Sequence, residues 1–232
     1  MKTDTQEKIL KLVKNNYDSI AGDFSQTRKR LLWPELVEVA KKVKSGDSLL
    51  DAACGSGRLL DEFKRLDFEY LGFDNSPELI NCAIKNYPNQ NFQVDDLLTL
   101  SSVKNNYFDW VFCIAALHHL PGENLRVKAL KNLSAKLKIG GKLVLSVWRP
   151  GKNKKFLRAR RINFWRKLFF LSDLDFGDAV FEWGGETSKN ENRLRYYHSF
   201  KESELKKIIK ESGLKVIDFR KDEYNYFLVL GK

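Results

Sequence analysis

Three strand-like runs in the first half of the chain each close on acid: residues 48–51 on Asp51, residues 69–74 on Asp74 and residues 91–96 on Asp95 and Asp96. Directly after the first comes a loop of small residues, Cys54-Gly55-Ser56-Gly57. Glycines between a buried strand and a helix let a ligand come close to the backbone, and an acid ending the next strand accepts hydrogen bonds from ribose hydroxyls. Asp74, 17 residues beyond Gly57, holds that position, so the expected ligand is a nucleoside. A dinucleotide fits poorly, because the loop lacks the third glycine of G-x-G-x-x-G and Asp51 would repel a pyrophosphate. The same Asp51 attracts an ammonium or a sulfonium. S-adenosylmethionine carries both, and its adenine amino group can donate to the acids of Asp95-Asp96-Leu97. The expected cofactor positions are therefore Asp51, Ala52, Ala53, Cys54, Gly55, Gly57 and Arg58 in the first turn and Asp74, Asn75 and Ser76 in the second. Asp95, Asp96 and Leu97 follow in the third, with Ile114 and Ala115 at the end of the fourth strand.

Those positions need strands to hold them. Residues 48–53, 69–74, 91–95, 109–116 and 142–148 read as strands, with helical stretches near 57–66, 76–86 and 123–138 between them. This alternation predicts an α/β fold with a mainly parallel sheet covered on both faces. Ser76-Pro77-Glu78 has the cap, first-turn proline and early acid of a helix start, and Gly140-Gly141 ends a helix before a KLVLSVW strand. Upstream, residues 6–15 and 33–44 read as helices, the second opening on Trp33-Pro34. Beyond Trp148 the alternation lapses until residue 200, and this stretch has too few apolar residues for a core of its own. Residues 201–232 return as helix, Gly213 terminator, strand, turn and strand. The chain reads as a single domain: a helical cap over 1–46, a cofactor-binding core over 47–148, an insertion over 149–199, and a last helix with a strand pair over 200–232.

The net charge of +11 is unevenly placed. Residues 49–148 carry 11 basic and 11 acidic side chains, whereas residues 149–167 carry nine Lys or Arg and no acid, with Phe156, Phe164 and Trp165 interleaved. Cations mixed with aromatic rings suit a surface that meets phosphates and stacks on bases; a solvated or membrane-surface helix is the other reading. No run of eighteen apolar residues and no signal-peptide pattern occurs, so a soluble, cytoplasmic protein is expected. Cys54, Cys82 and Cys113 are an odd number without C-x-x-C spacing, which points away from a disulfide framework and from a metal site.

The sequence resembles the class I S-adenosylmethionine-dependent methyltransferases, and within them the tRNA wobble-uridine carboxymethyl methyltransferases. The narrower match lies in YDSIAGDFSQTR at 17–28 followed by Trp33-Pro34, IAALHHL at 114–120 followed by Arg126-Val127, and Trp148. It continues in RYYHSFKESEL at 195–205 and the closing DEYNYFLVLGK. The glycine loop departs from the family, reading Ala52-Ala53-Cys54 where a glycine usually precedes the cysteine. The resemblance implies a Rossmann-like seven-stranded sheet with an antiparallel last strand. It further implies a tRNA substrate and pairing with a small zinc-binding activator, for a chain favoured as a monomer.

The residue types at the fourth strand end narrow the acceptor. An exocyclic amine would want acceptors such as Asn-Pro-Pro-Tyr, but residues 115–119 read Ala-Ala-Leu-His-His. A ring carbon would need an activating cysteine, and Cys113 lies within an apolar strand. A carboxylate is already ionised at neutral pH and asks only for positioning groups. Arg126, Arg195, Tyr196, Tyr197 and His198, with Arg28 from the N-terminal segment, are of that type; by resemblance they would line the substrate pocket with His118, His119 and Trp148. A small-molecule carboxyl methyltransferase and a non-catalytic cofactor-binding protein are the alternatives.

Overall fold

The computed structural model describes residues 1–27, 33–64, 66–149, 151, 153–183 and 193–232. Its elements are α1 (Thr3–Thr27), α2 (Pro34–Ala40), β1 (Ser48–Ala52), β2 (Glu69–Asp74), α3 (Pro77–Asn86), β3 (Asn91–Val94), β4 (Phe108–Ile114), α4 (Glu123–Lys136) and β5 (Leu137–Trp148). They continue as α5 (Lys154–Leu168), β6 (Asp178–Trp183), β7 (Arg193–His198), α6 (Glu202–Glu211), β8 (Lys215–Lys221) and β9 (Asn225–Gly231). Seven strands form one sheet in the order β3-β2-β1-β4-β5-β9-β8. The first five are parallel, and β9 runs antiparallel to β5 and β8. This is the mainly parallel, Rossmann-like sheet with an antiparallel last strand.

Successive strand residues point to opposite faces, so a strand covered on both sides must be apolar throughout. β1 obeys this, with Leu49 and Leu50 both fully buried. Leu50, Val111 and Leu145 join one core with α4 and α6, while Leu49, Phe112 and Val144 join the other with α2. Ser76 caps α3 by accepting from the Leu79 amide at 3.2 Å, as its sequence signature predicts.

Several elements differ from their sequence expectation. The helix expected near 57–66 is a short 3₁₀ turn at Arg58–Glu62. The helix expected at 6–15 runs to Thr27, because Ile9, Val13, Tyr17, Ala21 and Phe24 continue one face through the Gly22 position. Gly140-Gly141 lies inside β5 rather than at a helix end; α4 stops at Lys136, and the strand shifts register between Phe108 and Trp110 of its partner to take up the glycines. The stretch after Trp148 is less irregular than its composition suggests. It forms α5 and a two-stranded β6-β7 sheet that share a small cluster of Phe156, Ala179, Phe181 and Tyr197, packed against Trp148. No described helix is long and apolar enough to cross a membrane.

Candidate active site

The carboxyl ends of β1, β2 and β4 open onto a cavity of about 470 Å³. Its floor is set by Asp74, whose two carboxylate oxygens accept from the Gly55 amide at 2.9 Å and the Ser76 amide at 3.0 Å. Asp51 accepts from the Tyr70 hydroxyl at 3.0 Å. Burial pushes the Asp51 carboxyl up to about 7, with the Asp74 charge adding to it, and burial pushes Asp74 up to about 6. Two buried carboxylates held this close are costly to ionise together, and a cation in the cavity would offset that cost. Asp96 accepts from the Leu98 amide at 2.8 Å. The Asp95 carboxylate serves its own turn, accepting from the Asp96 amide and the Thr99 and Ser102 hydroxyls. Ala53 and Ala115, at the ends of β1 and β4, both have left-handed backbone, with φ of 58° and 55°. Each turns the chain away from the sheet at the cavity wall.

α1 closes this end. Tyr17 and Phe24 line the cavity, and Phe24 lies 3.5 Å from where a side chain on Gly55 would begin. The Ser76 hydroxyl donates to Asp18 at 2.5 Å, and Asn86 donates to both Ser25 and the Ser56 carbonyl.

The far end is aromatic and neutral. Trp148, Tyr197, His118 and His119 pack ring against ring, with centroids 4.6 Å apart for Trp148–Tyr197 and 4.4 Å for the two histidines. A carbonyl only accepts, so the His119 Nδ1 that lies 3.2 Å from the Tyr196 oxygen carries the proton. Its Nε2 then accepts from the Tyr17 hydroxyl at 2.8 Å. His118 Nδ1 accepts from the Trp148 amide at 3.1 Å, which puts its proton on Nε2. Burial holds both rings neutral, moving His119 down to about 4 and His118 well below the ordinary imidazole range.

Of the cofactor positions expected from sequence, Asp51, Ala53, Cys54, Gly55 and Arg58 line the cavity, as do Asp74, Asn75, Asp95, Asp96, Leu97, Ile114 and Ala115. Ala52, Gly57 and Ser76 stand behind this lining; Ser76 acts through its bond to Asp74. Of the substrate positions, His118, His119, Trp148 and Tyr197 line it. Arg28 lies outside the described residues. Cys113 is buried in β4, where burial pushes its thiol up to about 12.

Arg126, Tyr196 and His198, also expected at the substrate, do not line this cavity. Arg126 is fully buried and bonded to the Leu120 carbonyl, Glu204 and Asp175, with Asp178 at 3.6 Å. His198 bridges Asp178 at 2.6 Å and Glu204 at 2.8 Å, and the Tyr196 hydroxyl donates to Asp178. The cause is strand alternation: in β7, Tyr196 and His198 face this charged network while Arg195 and Tyr197 face the opposite way. Arg195 donates to the Tyr197 hydroxyl at 3.5 Å and stands close enough to His119 to oppose its protonation. Tyr17, Trp33, Tyr224 and Asn225 also line the cavity. They lie in the quoted 17–28 and 222–232 stretches and beside Pro34, but no residue type marked them out individually.

A doubly wound sheet with acid-lined strand ends and a glycine turn defines a nucleoside-binding α/β enzyme. Residues 24–218 match the methyltransferase domain family, and the chain belongs to that family. It is 34% identical over 142 residues to the tRNA (carboxymethyluridine(34)-5-O)-methyltransferase of Saccharomyces cerevisiae, covering 61% of this chain and 50% of that protein. The chain thus spans about half the length of that relative. It is 25% identical over 221 residues to the Schizosaccharomyces pombe protein of the same name, covering 93% of this chain and 94% of the relative. Among solved structures, a SAM-dependent methyltransferase from Methanosarcina mazei superposes with a TM-score of 0.70 at 21% identity, over 87% of this chain and 98% of that one. A Haloferax volcanii methyltransferase in complex with the Trm112 methyltransferase activator superposes at 0.62 and 15% identity, over 93% of this chain and 96% of that one.

Proposed function

We propose that this protein uses S-adenosylmethionine to esterify a carboxymethyl group on the wobble uridine of tRNA. Asp74 would take the ribose hydroxyls and Asp51 the cationic end, the buried carboxylates fitting a ligand that brings positive charge. When bound, the cofactor supplies an electrophilic methyl group.

The observation that carries the acceptor class is the state of the two histidines. His118 spends its lone pair on the Trp148 amide, and His119 spends its lone pair on Tyr17. Neither imidazole keeps a free lone pair for taking a proton, so the pair suits a nucleophile that enters already ionised. A carboxylate does, and the Nε2–H of His118 is a neutral donor able to orient one of its oxygens. The aromatic box of Trp148 and Tyr197 suits the uracil ring.

The relatives named for carboxymethyluridine-34 in tRNA support the substrate. So does the surface beside the cavity: Lys154, Lys155, Arg158, Arg160 and Arg161 are exposed along α5, and several of them line a groove of about 1330 Å³. In this reading residues 1–46 cap the pocket, 47–148 bind cofactor, 149–199 dock RNA and 200–232 complete the sheet. The protein works in the cytoplasm as a single catalytic copy, with a small zinc-binding activator of the Trm112 type as its partner. Methyl transfer to tRNA bearing the free wobble carboxylate, compared with tRNA whose carboxylate has been converted to an amide, tests it. Activity on the first alone is expected; equal activity on both would remove the carboxylate from the mechanism.

A further inference from the structure

The far end of α5 carries an exposed apolar surface. Trp165, Leu168, Phe169, Phe170, Leu171 and Phe176 are all at least half exposed, Phe170 at 96%. We propose that this tip is a second RNA anchor, where unpaired bases of the substrate stack at a fixed distance from the reacting nucleoside; it rests on the tRNA reading above.

The local backbone favours display over stability. The Leu171 amide reaches back to the Arg166 carbonyl at 2.7 Å and the Phe170 amide to the Lys167 carbonyl at 3.0 Å, the two bonds of a Schellman helix end. That motif places its central residue in the left-handed region, where glycine is usual. Here the residue is Phe170, with φ of 59°. A large ring in that conformation is strained and, being exposed, recovers nothing by packing.

Charge chooses the occupant. Arg158, Arg160, Arg161 and Arg166 are exposed on the same helix, and Lys167 lies over the Phe176 ring at 5.6 Å. A second copy of this cationic helix would be repelled, whereas a polyanion with flat bases matches both the cations and the rings. Position favours RNA over an anionic membrane. α5 begins beside the cavity, where Phe156 packs on Trp148 with centroids 5.8 Å apart, and Phe170 lies 14 residues further on, a rise of about 21 Å along the helix. An RNA with its target nucleoside against Trp148 can follow the helix and set bases a few nucleotides away onto the tip.

Phe170→Gly separates this role from a structural one, because the two move in opposite directions. Glycine relieves the left-handed strain, so the variant should melt higher than wild type. Its affinity for a short RNA stem–loop with an unpaired pyrimidine loop should nevertheless fall roughly tenfold, the scale of one lost base–aromatic stack. Trp165→Ala should act likewise. Binding of a fully paired RNA duplex of the same length should change little, since paired bases cannot reach the rings. Joint replacement of Arg158, Arg160 and Arg161 by Ala should weaken both RNAs. Wild-type stem–loop affinity in Phe170→Gly and Trp165→Ala would overturn the proposal, as would an equal loss for duplex. Retained RNA binding with lost binding to phosphatidylserine vesicles would make the tip a membrane contact instead. Methyl transfer to tRNA by the unaltered chain is measured in parallel: its absence counts against the catalytic reading, and the stem–loop result still decides the anchor.

Discussion

The Tyr17 hydroxyl sits 2.8 Å from Nε2 of His119, and it ties α1 to the aromatic end of the cavity. His119 has its other nitrogen committed to the Tyr196 carbonyl, so Tyr17 must donate. Tyr17→Phe removes that donor and leaves a buried acceptor unmet, at a cost of about 1 kcal/mol in stability. The ring cluster of His118, His119, Trp148 and Tyr197, which in the proposed reaction orients the acceptor, loosens with it. A lower melting temperature and a lower kcat are expected, with cofactor KM nearly unchanged; a change confined to cofactor KM would place Tyr17 at the wrong end of the pocket.

Residues 17–27 are the second half of α1. Tyr17 and Phe24 line the cavity, so ligand binding should slow exchange along the second half of α1. Hydrogen exchange with and without S-adenosylmethionine measures this. Equally slow exchange in both states would make α1 a permanent wall.

Asp51 gives the pH dependence. Its carboxyl is raised from 3.8 to about 7, so the folded, unliganded protein holds its proton more tightly than the unfolded chain does. That contribution to stability is complete below about pH 4 and is lost as the pH rises through 7. A cationic ligand prefers the ionised form, so cofactor affinity should rise over the same interval in which unliganded stability falls. Asp51→Asn should therefore melt higher than wild type at pH 8 while binding S-adenosylmethionine about 1–3 kcal/mol more weakly. Calorimetry and melting curves on one preparation read both signs.

Arg126 is buried among Asp175, Asp178 and Glu204, away from the cavity lining. Removing it takes the permanent cation from Asp178 and Glu204 and leaves them to His198 and, for Asp178, the Tyr196 hydroxyl, which costs about 3–5 kcal/mol. Arg126→Met should lower the melting temperature and lose activity in proportion to the folded fraction. An unchanged melting temperature with a collapsed kcat would return Arg126 to the reaction.

Much of the site was legible because each acid closes a strand and strand ends share one edge of a parallel sheet. Asp51, Asp74 and Ala115 needed only that rule. RYYH was not legible as a unit, because period-two alternation sends Tyr196 and His198 to the buried network and Tyr197 to the cavity, and residue types alone do not say which face is which. The β6-β7 pair was missed for a related reason: Arg195 and His198 are polar residues with partners on both faces, so the strand lacks an apolar rhythm. Ala53 shows the reverse. The departure from the family's glycine falls where the backbone has φ of 58°, so Ala53→Gly should hold or raise the melting temperature, by up to about 1 kcal/mol of stability.

The most direct measurement is nucleoside mass spectrometry of carboxymethyluridine-bearing tRNA after incubation with the full chain and S-adenosylmethionine, with and without a Trm112-type activator. A methyl ester at the wobble uridine, released again by mild alkali, is the predicted product. An alkali-stable methyl group on base or ribose, or methyl transfer to small carboxylic acids with none to RNA, would contradict it.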